Sequence, residues 1–165
     1  MFPWLCRKPF HHLFSHPYRK FAITPFDHWM NESEYSKFHS KSNHDQHREM
    51  KQQCERFYLS LFDEHESYLL HPNRKYGMRF LQVEDRSEFT YLMERSLDQG
   101  YFFAPVFPEL EVLFYSDSTY SQIVYSPKNE FNELEGTATS SGLHRLEFRT
   151  DQGGLINSES LRSST

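Results

Sequence analysis

A chain of 165 residues carrying 37% hydrophobic residues, much of them aromatic (16 Phe, 10 Tyr and 2 Trp), is long enough for one domain with a buried core, and that aromatic content argues against disorder throughout. The net charge of −5 argues against a general nucleic-acid binder, which is usually basic. Two cysteines, Cys6 and Cys54, make no disulfide framework, and no apolar run approaches the ~18 residues of a membrane span; with no apolar leader segment at the N-terminus, the chain reads as soluble, cytoplasmic and reduced.

In chain order, residues 1–18 hold Pro3, Pro9 and Pro17 among bulky aromatics and read as an irregular arm packed down by Phe2, Trp4 and Phe10. "RKFAITPF" reads as a short strand ended by Pro25, and "DHWMNESEYSKF" as a short helix capped by Asp27 or Asn31. From Ser42 or Asn43 the residues Met50, Cys54, Phe57, Tyr58, Leu61, Phe62 and Leu69 recur at steps of three and four, with one longer gap. This spacing predicts a long amphipathic helix that stops before Pro72. "YGMRFLQVED" follows as a strand. "DRSEFTYLMERSLDQG" predicts a second helix, with Asp85 and Glu88 at capping-box spacing and Gly100 just past its end.

"YFFAPVF", "ELEVLFYS" and "YSQIVYS" read as three consecutive strands, the last two joined by a polar turn at Ser116-Asp117-Ser118-Thr119. Ser126-Pro127 predicts an N-cap and first helical position, so residues 127–142 read as a helix weakened by Gly136, Thr137 and Thr139. "LHRLEFR" is the last strand, and residues 150–165, rich in Gly and Ser, are expected as a loose polar tail. The expected fold is α+β: a globular unit over residues 19–149, with a mainly antiparallel sheet and helices on one face.

The chemistry-bearing residues are sparse in motif. His44 and His47 stand three apart near a helix start, so both would face one ion, but a zinc site needs further ligands, and no acidic or Cys motif stands at a family spacing. His11, His12 and His16 fall in the arm. No G-x-S-x-G turn occurs, and Cys54 sits on a core face where a thiolate is poorly stabilised. Glu109 and Glu111, two apart on a predicted strand, would point to one face, either as a carboxylate pair or as charges that guard an edge strand. The segment "RKPFHHLFSHPYRKF" interleaves cations with rings, either to grip nucleic acid or to wrap the core while its charges stay wet.

Charge is uneven. Residues 101–148 hold Glu109, Glu111, Asp117, Glu130, Glu133, Glu135 and Glu147 against Lys128 and Arg145. Such a face is either a solvated surface or a dock for a basic partner. Tyr101, Tyr115, Tyr120 and Tyr125 fall in the same half, and Tyr suits protein interfaces.

The landmarks Phe102 and Phe103, Pro108-Glu109-Leu110, Asp117, Tyr120 and Gly142-Leu143, between Gly100 and Phe148, give a layout of strand, "PEL" turn, strand, polar turn, strand, helix and "GL" strand. This layout resembles the C-terminal part of small bacterial proteins that look like immunity proteins of polymorphic toxin systems. The match covers under a third of the chain, and its landmarks are structural, so no functional residue transfers. The resemblance implies a non-enzymatic protein that binds and neutralises a cognate toxin, a nuclease for example. Such a protein needs no cofactor and no metal, and the acidic, tyrosine-rich pattern itself, not the resemblance, gives Glu109, Glu111, Tyr115, Asp117, Tyr120 and Glu130 as the contact candidates. The alternatives are a metal-dependent enzyme built on His44 and His47, and a nucleic-acid-associated regulator built on the basic arm.

Overall fold

The computed structural model describes residues 18–38, 43–73, 77–116 and 120–148. The arm expected before Tyr18, the tail after Phe148 and the turn residue Asp117 therefore lie outside the described residues.

Among the described residues, seven strands form one sheet in the order β3-β2-β4-β5-β6-β1-β7, and all six pairings are antiparallel. They are β1 (Arg19–Thr24), β2 (Ser67–Asn73), β3 (Gly77–Val83), β4 (Pro105–Phe107), β5 (Val112–Ser116), β6 (Gln122–Ser126) and β7 (His144–Glu147). The helices are α1 (Glu32–Phe38), α2 (His44–Glu64), α3 (Arg86–Gln99) and α4 (Asn132–Ser140). The chain is thus a single α+β unit, as its strand and helix patterns predict.

Alternation along the strands divides the apolar side chains between two faces. Phe21, Ile23, Phe107, Val112, Phe114 and Val124 face the helices and meet Cys54, Phe57, Tyr58 and Leu61 of α2, Phe89 and Met93 of α3, and Leu134 and Ala138 of α4. The opposite face gathers Leu70, Val106, Leu113 and Tyr125 with Tyr18 and Ala104, and no described helix residue belongs to it. Each large side chain buried in this way contributes roughly 1.5–3 kcal/mol. The helix-side core is largely aromatic: Phe89 sits in tilted and edge-on contact with Tyr58, Phe62, Phe103 and Phe107.

Local chemistry sets the helix ends. Asn31 and Glu34 form a reciprocal capping box on α1, with Glu34 N–H donating to Asn31 Oδ1 at 3.1 Å and Asn31 N–H to Glu34 Oε2 at 2.8 Å. Asp85 caps α3 by accepting from the Ser87 and Glu88 amides, and Gly100 ends it in the left-handed region at φ 67°. Helix α4 closes in a Schellman arrangement: Leu143 N–H donates to Ala138 O, Gly142 N–H to Thr139 O, and Gly142 takes φ 83°.

Several expected elements differ, and the strand expected from Tyr101 begins only at Pro105. The long helix stops at Glu64, because His65 turns extended (φ −134°, ψ 152°) and Ser67–Asn73 becomes β2. The gap between Phe62 and Leu69 was that break: Leu69 and Leu70 are buried on opposite faces, as a two-sided strand requires. The helix expected from Pro127 begins only at Asn132. Ser126 belongs to β6, paired with Arg19, and its hydroxyl accepts from the Lys128 amide in a turn rather than capping a helix. The strand expected from Glu109 begins at Val112, because Phe107 pairs with Val112 and residues 108–111 form the connecting turn. No described helix is long and apolar enough to cross a membrane.

Candidate functional site

The end of α2, the β4–β5 turn and the start of α4 meet at one corner. His65 caps α2, its own amide donating to Leu61 O at 3.0 Å. Its imidazole is nine-tenths buried, with 10% of the side chain exposed, and lies between two carboxylates. Nδ1 is 2.8 Å from Glu109 Oε2, and Nε2 is 2.8 Å from Glu133 Oε1. The two contacts are not equivalent. The Glu109 contact is an aligned hydrogen bond, whereas Nε2 makes none, because the Glu133 oxygen sits at ion-pair distance but off the ring N–H direction. Ligating atoms of Glu64, His65 and Glu133 lie within 4.8 Å of one another.

Beside this cluster lies a concavity of about 110 Å³. Its apolar wall includes Leu110, Val112 and Leu134, and its polar rim Glu109, Lys128, Glu130 and Glu133. Lys128 Nζ donates to Glu109 O at 3.1 Å and stands 3.7 Å from Glu111 Oε2. The other nearby cation, Arg145, is committed elsewhere: it pairs with Glu135 and Glu147 and lies over the rings of Phe21 and Phe131. The rim is therefore richer in acids than in cations.

The predicted contact residues do not form one surface. Glu109, Glu111 and Glu130 gather at this corner. Glu109 and Glu111, however, are not neighbours on a strand face. They sit in the turn, where Glu111 N–H donates to Pro108 O at 3.0 Å and Glu111 takes φ 55°. Nor do they guard an edge, since β4 and β5 are interior strands and the edges are β3 and β7. Tyr115 is half-buried on the face away from the helices, edge-on to Phe102 at 6.0 Å. Tyr120 turns toward the helix side, its ring against His47 and Phe38 and its carbonyl accepting from Cys54 Sγ at 3.4 Å. Burial raises its phenol pKa above the ordinary value.

The His44–His47 pair is not assembled as a ligand set. His47 Nε2 donates to Phe38 O at 3.0 Å and its ring packs on Phe38, while the intervening Asp45 pairs with Arg48. These contacts pin α1 to α2. Among the described residues, the histidine that meets a possible ligand set is instead His65, which no motif in the sequence marks. Its signal was the run Asp63-Glu64-His65-Glu66, a histidine among acids at the point where the apolar period fails.

Comparison with protein-family models, with curated proteins and with solved structures finds no match for this chain.

Proposed function

We propose that this protein is a non-catalytic binding protein that captures a cationic protein partner at the acidic corner, and that the partner is a toxin it neutralises. The observation that carries this reading is the convergence of Glu109, Glu130 and Glu133 around an apolar-walled concavity, with Glu111 paired to the rim residue Lys128. A charged rim about an apolar centre is the common anatomy of a protein interface, and an acidic rim speeds encounter with a basic partner. The layout of residues 100–148, which resembles that of immunity proteins, supports the same reading. Tyr115 and Tyr120 contribute to packing in this account, and Glu111 and Glu130 to contact.

Co-expression with the product of the adjacent gene tests it. The expected result is a stable complex and loss of that product's toxicity. The double variant Glu111→Lys/Glu130→Lys should associate roughly tenfold more slowly or worse, with the difference shrinking as salt rises. A neighbouring product that is not a toxin, or a complex indifferent to the double reversal, overturns the reading.

A further inference from the structure

We infer that Glu64, His65 and Glu133 form a site for one divalent transition-metal ion, of the manganese or zinc class, with Glu109 as the positioning residue behind the histidine.

The argument begins at the two ring nitrogens. Nδ1 is engaged by Glu109 in an aligned hydrogen bond at 2.8 Å, which leaves Nε2 as the ring nitrogen placed to ligate. Nε2 stands 2.8 Å from the Glu133 carboxylate, in a side chain that is nine-tenths buried, without an aligned hydrogen bond. The two atoms are close, and no hydrogen bond accounts for it. An ion held by both atoms gives each a partner. Donors bound to a four-coordinate ion at about 2.0–2.2 Å lie roughly 3.4 Å apart, and these three ligating groups already lie within 4.8 Å.

The surroundings agree. A carboxylate behind the far nitrogen of a ligating histidine is the usual device that orients the ring and strengthens it as a donor. Glu64 and His65 stand at the C-terminal end of a 21-residue helix whose last turn carries no basic residue. The partial negative charge at such an end favours a cation. One imidazole and two carboxylates suit manganese or zinc better than calcium or magnesium, which prefer all-oxygen shells. Three protein ligands leave coordination positions for water, and the concavity beside Glu133 provides room.

The test uses the full chain without an affinity tag, stripped with chelator and titrated calorimetrically with Mn²⁺ alone and with Zn²⁺ alone, each against excess Mg²⁺. One ion per chain is expected. Glu64→Gln and Glu133→Gln, both exposed carboxylates whose loss leaves the core intact, should each weaken binding by roughly tenfold or more, and Glu109→Gln by roughly 10–100-fold. Mn²⁺ should broaden the His65 ring resonances before those of other histidines. Absence of stoichiometric binding overturns the site. So does binding that survives the Glu64→Gln/Glu133→Gln variant, or broadening centred on His44 or His47. These readouts are independent of any protein partner, so the metal site and the toxin reading fail separately.

Discussion

The Tyr58 hydroxyl donates to Gln122 Oε1, and the same oxygen accepts from Ser116 Oγ, so one amide buried at 0% exposure ties α2 to both strands of the β5–β6 hairpin. The amide nitrogen completes the node by donating to Tyr120 O at 3.2 Å. Burial holds the Tyr58 phenol well above its ordinary pKa, which favours its role as a donor.

Removing one partner of this node should cost less than removing its centre. Tyr58→Phe leaves Gln122 Oε1 with the Ser116 bond and is expected to cost about 1–1.5 kcal/mol. Gln122→Leu removes the acceptor shared by the buried Tyr58 hydroxyl and the half-buried Ser116 hydroxyl, and is expected to cost roughly 2–3 kcal/mol in all. Urea unfolding checks the order: equal midpoints for the two variants, or a Tyr58→Phe protein less stable than Gln122→Leu, would contradict it.

Phe89 is the hub of the aromatic core, fully buried against four other rings. Phe89→Ala should destabilise by roughly 3–5 kcal/mol. Leu81, which is 51% exposed on edge strand β3, is its internal control, and Leu81→Ala should shift the unfolding midpoint little.

Helix α3 offers a separation of conformational from steric effects. A Cβ at Gly100 meets nothing within 4 Å, yet the residue takes φ 67°. Gly100→Ala is therefore expected to lose about 1–2 kcal/mol from backbone strain alone, and Asp85→Ala about 1 kcal/mol from the lost N-cap. At Gly142 a Cβ would stand 2.9 Å from Gln53 Nε2, the far end of a flexible side chain, so the same φ penalty should dominate there. Thermal melts of the three variants should fall close together. A Gly100→Ala melt matching wild type would refute the strain argument.

His28 gives a pH dependence whose sign is fixed by its partners. Its Nδ1 lies 2.6 Å from Asp27 Oδ1 and its Nε2 3.2 Å from Glu34 Oε1. The hydrogen bond to Asp27, followed by that to Glu34, raises its pKa above the ordinary 6.5. A raised folded-state value means that the stability it brings is complete below 6.5 and is lost as pH climbs through that raised value. Asp27, held down by its bond to His28, and Glu34, held down chiefly by the Asn31 amide, act in the opposite sense, their share being lost as pH falls through their lowered values. NMR titration of the His28 ring should show a midpoint above 6.5 that drops in Asp27→Asn. A wild-type midpoint at or below the ordinary value would contradict the arrangement.

What the sequence made legible was what local chemistry decides. The Asp85 cap and the Gly100 stop bracket α3 within one residue because both act on their own helix's backbone groups. The passage from α2 to β2 was hidden, since Glu64-His65-Glu66 contains no glycine or proline and the helix ends there for tertiary reasons, with Leu69 and Leu70 claimed by two faces of a sheet. The acidic corner was legible as composition and not as geometry. Glu109 and Glu133 reach His65 only after the β4–β5 turn and α4 are folded over the end of α2. Nothing in the spacing of these residues announces that meeting.

Strand β1 pairs through Phe21 with Val124 on one side and through Ala22 with Leu146 on the other. The first of the described strands is thus an interior strand whose two neighbours are the last two described. During translation its apolar run must stay unpaired while the residues between Thr24 and Gln122 are made, and closing so long a loop is slow. The growing chain therefore carries an orphan strand through that stretch, and the slot between β6 and β7 is the place where a detached peptide spanning β1 should restore a chain that lacks it.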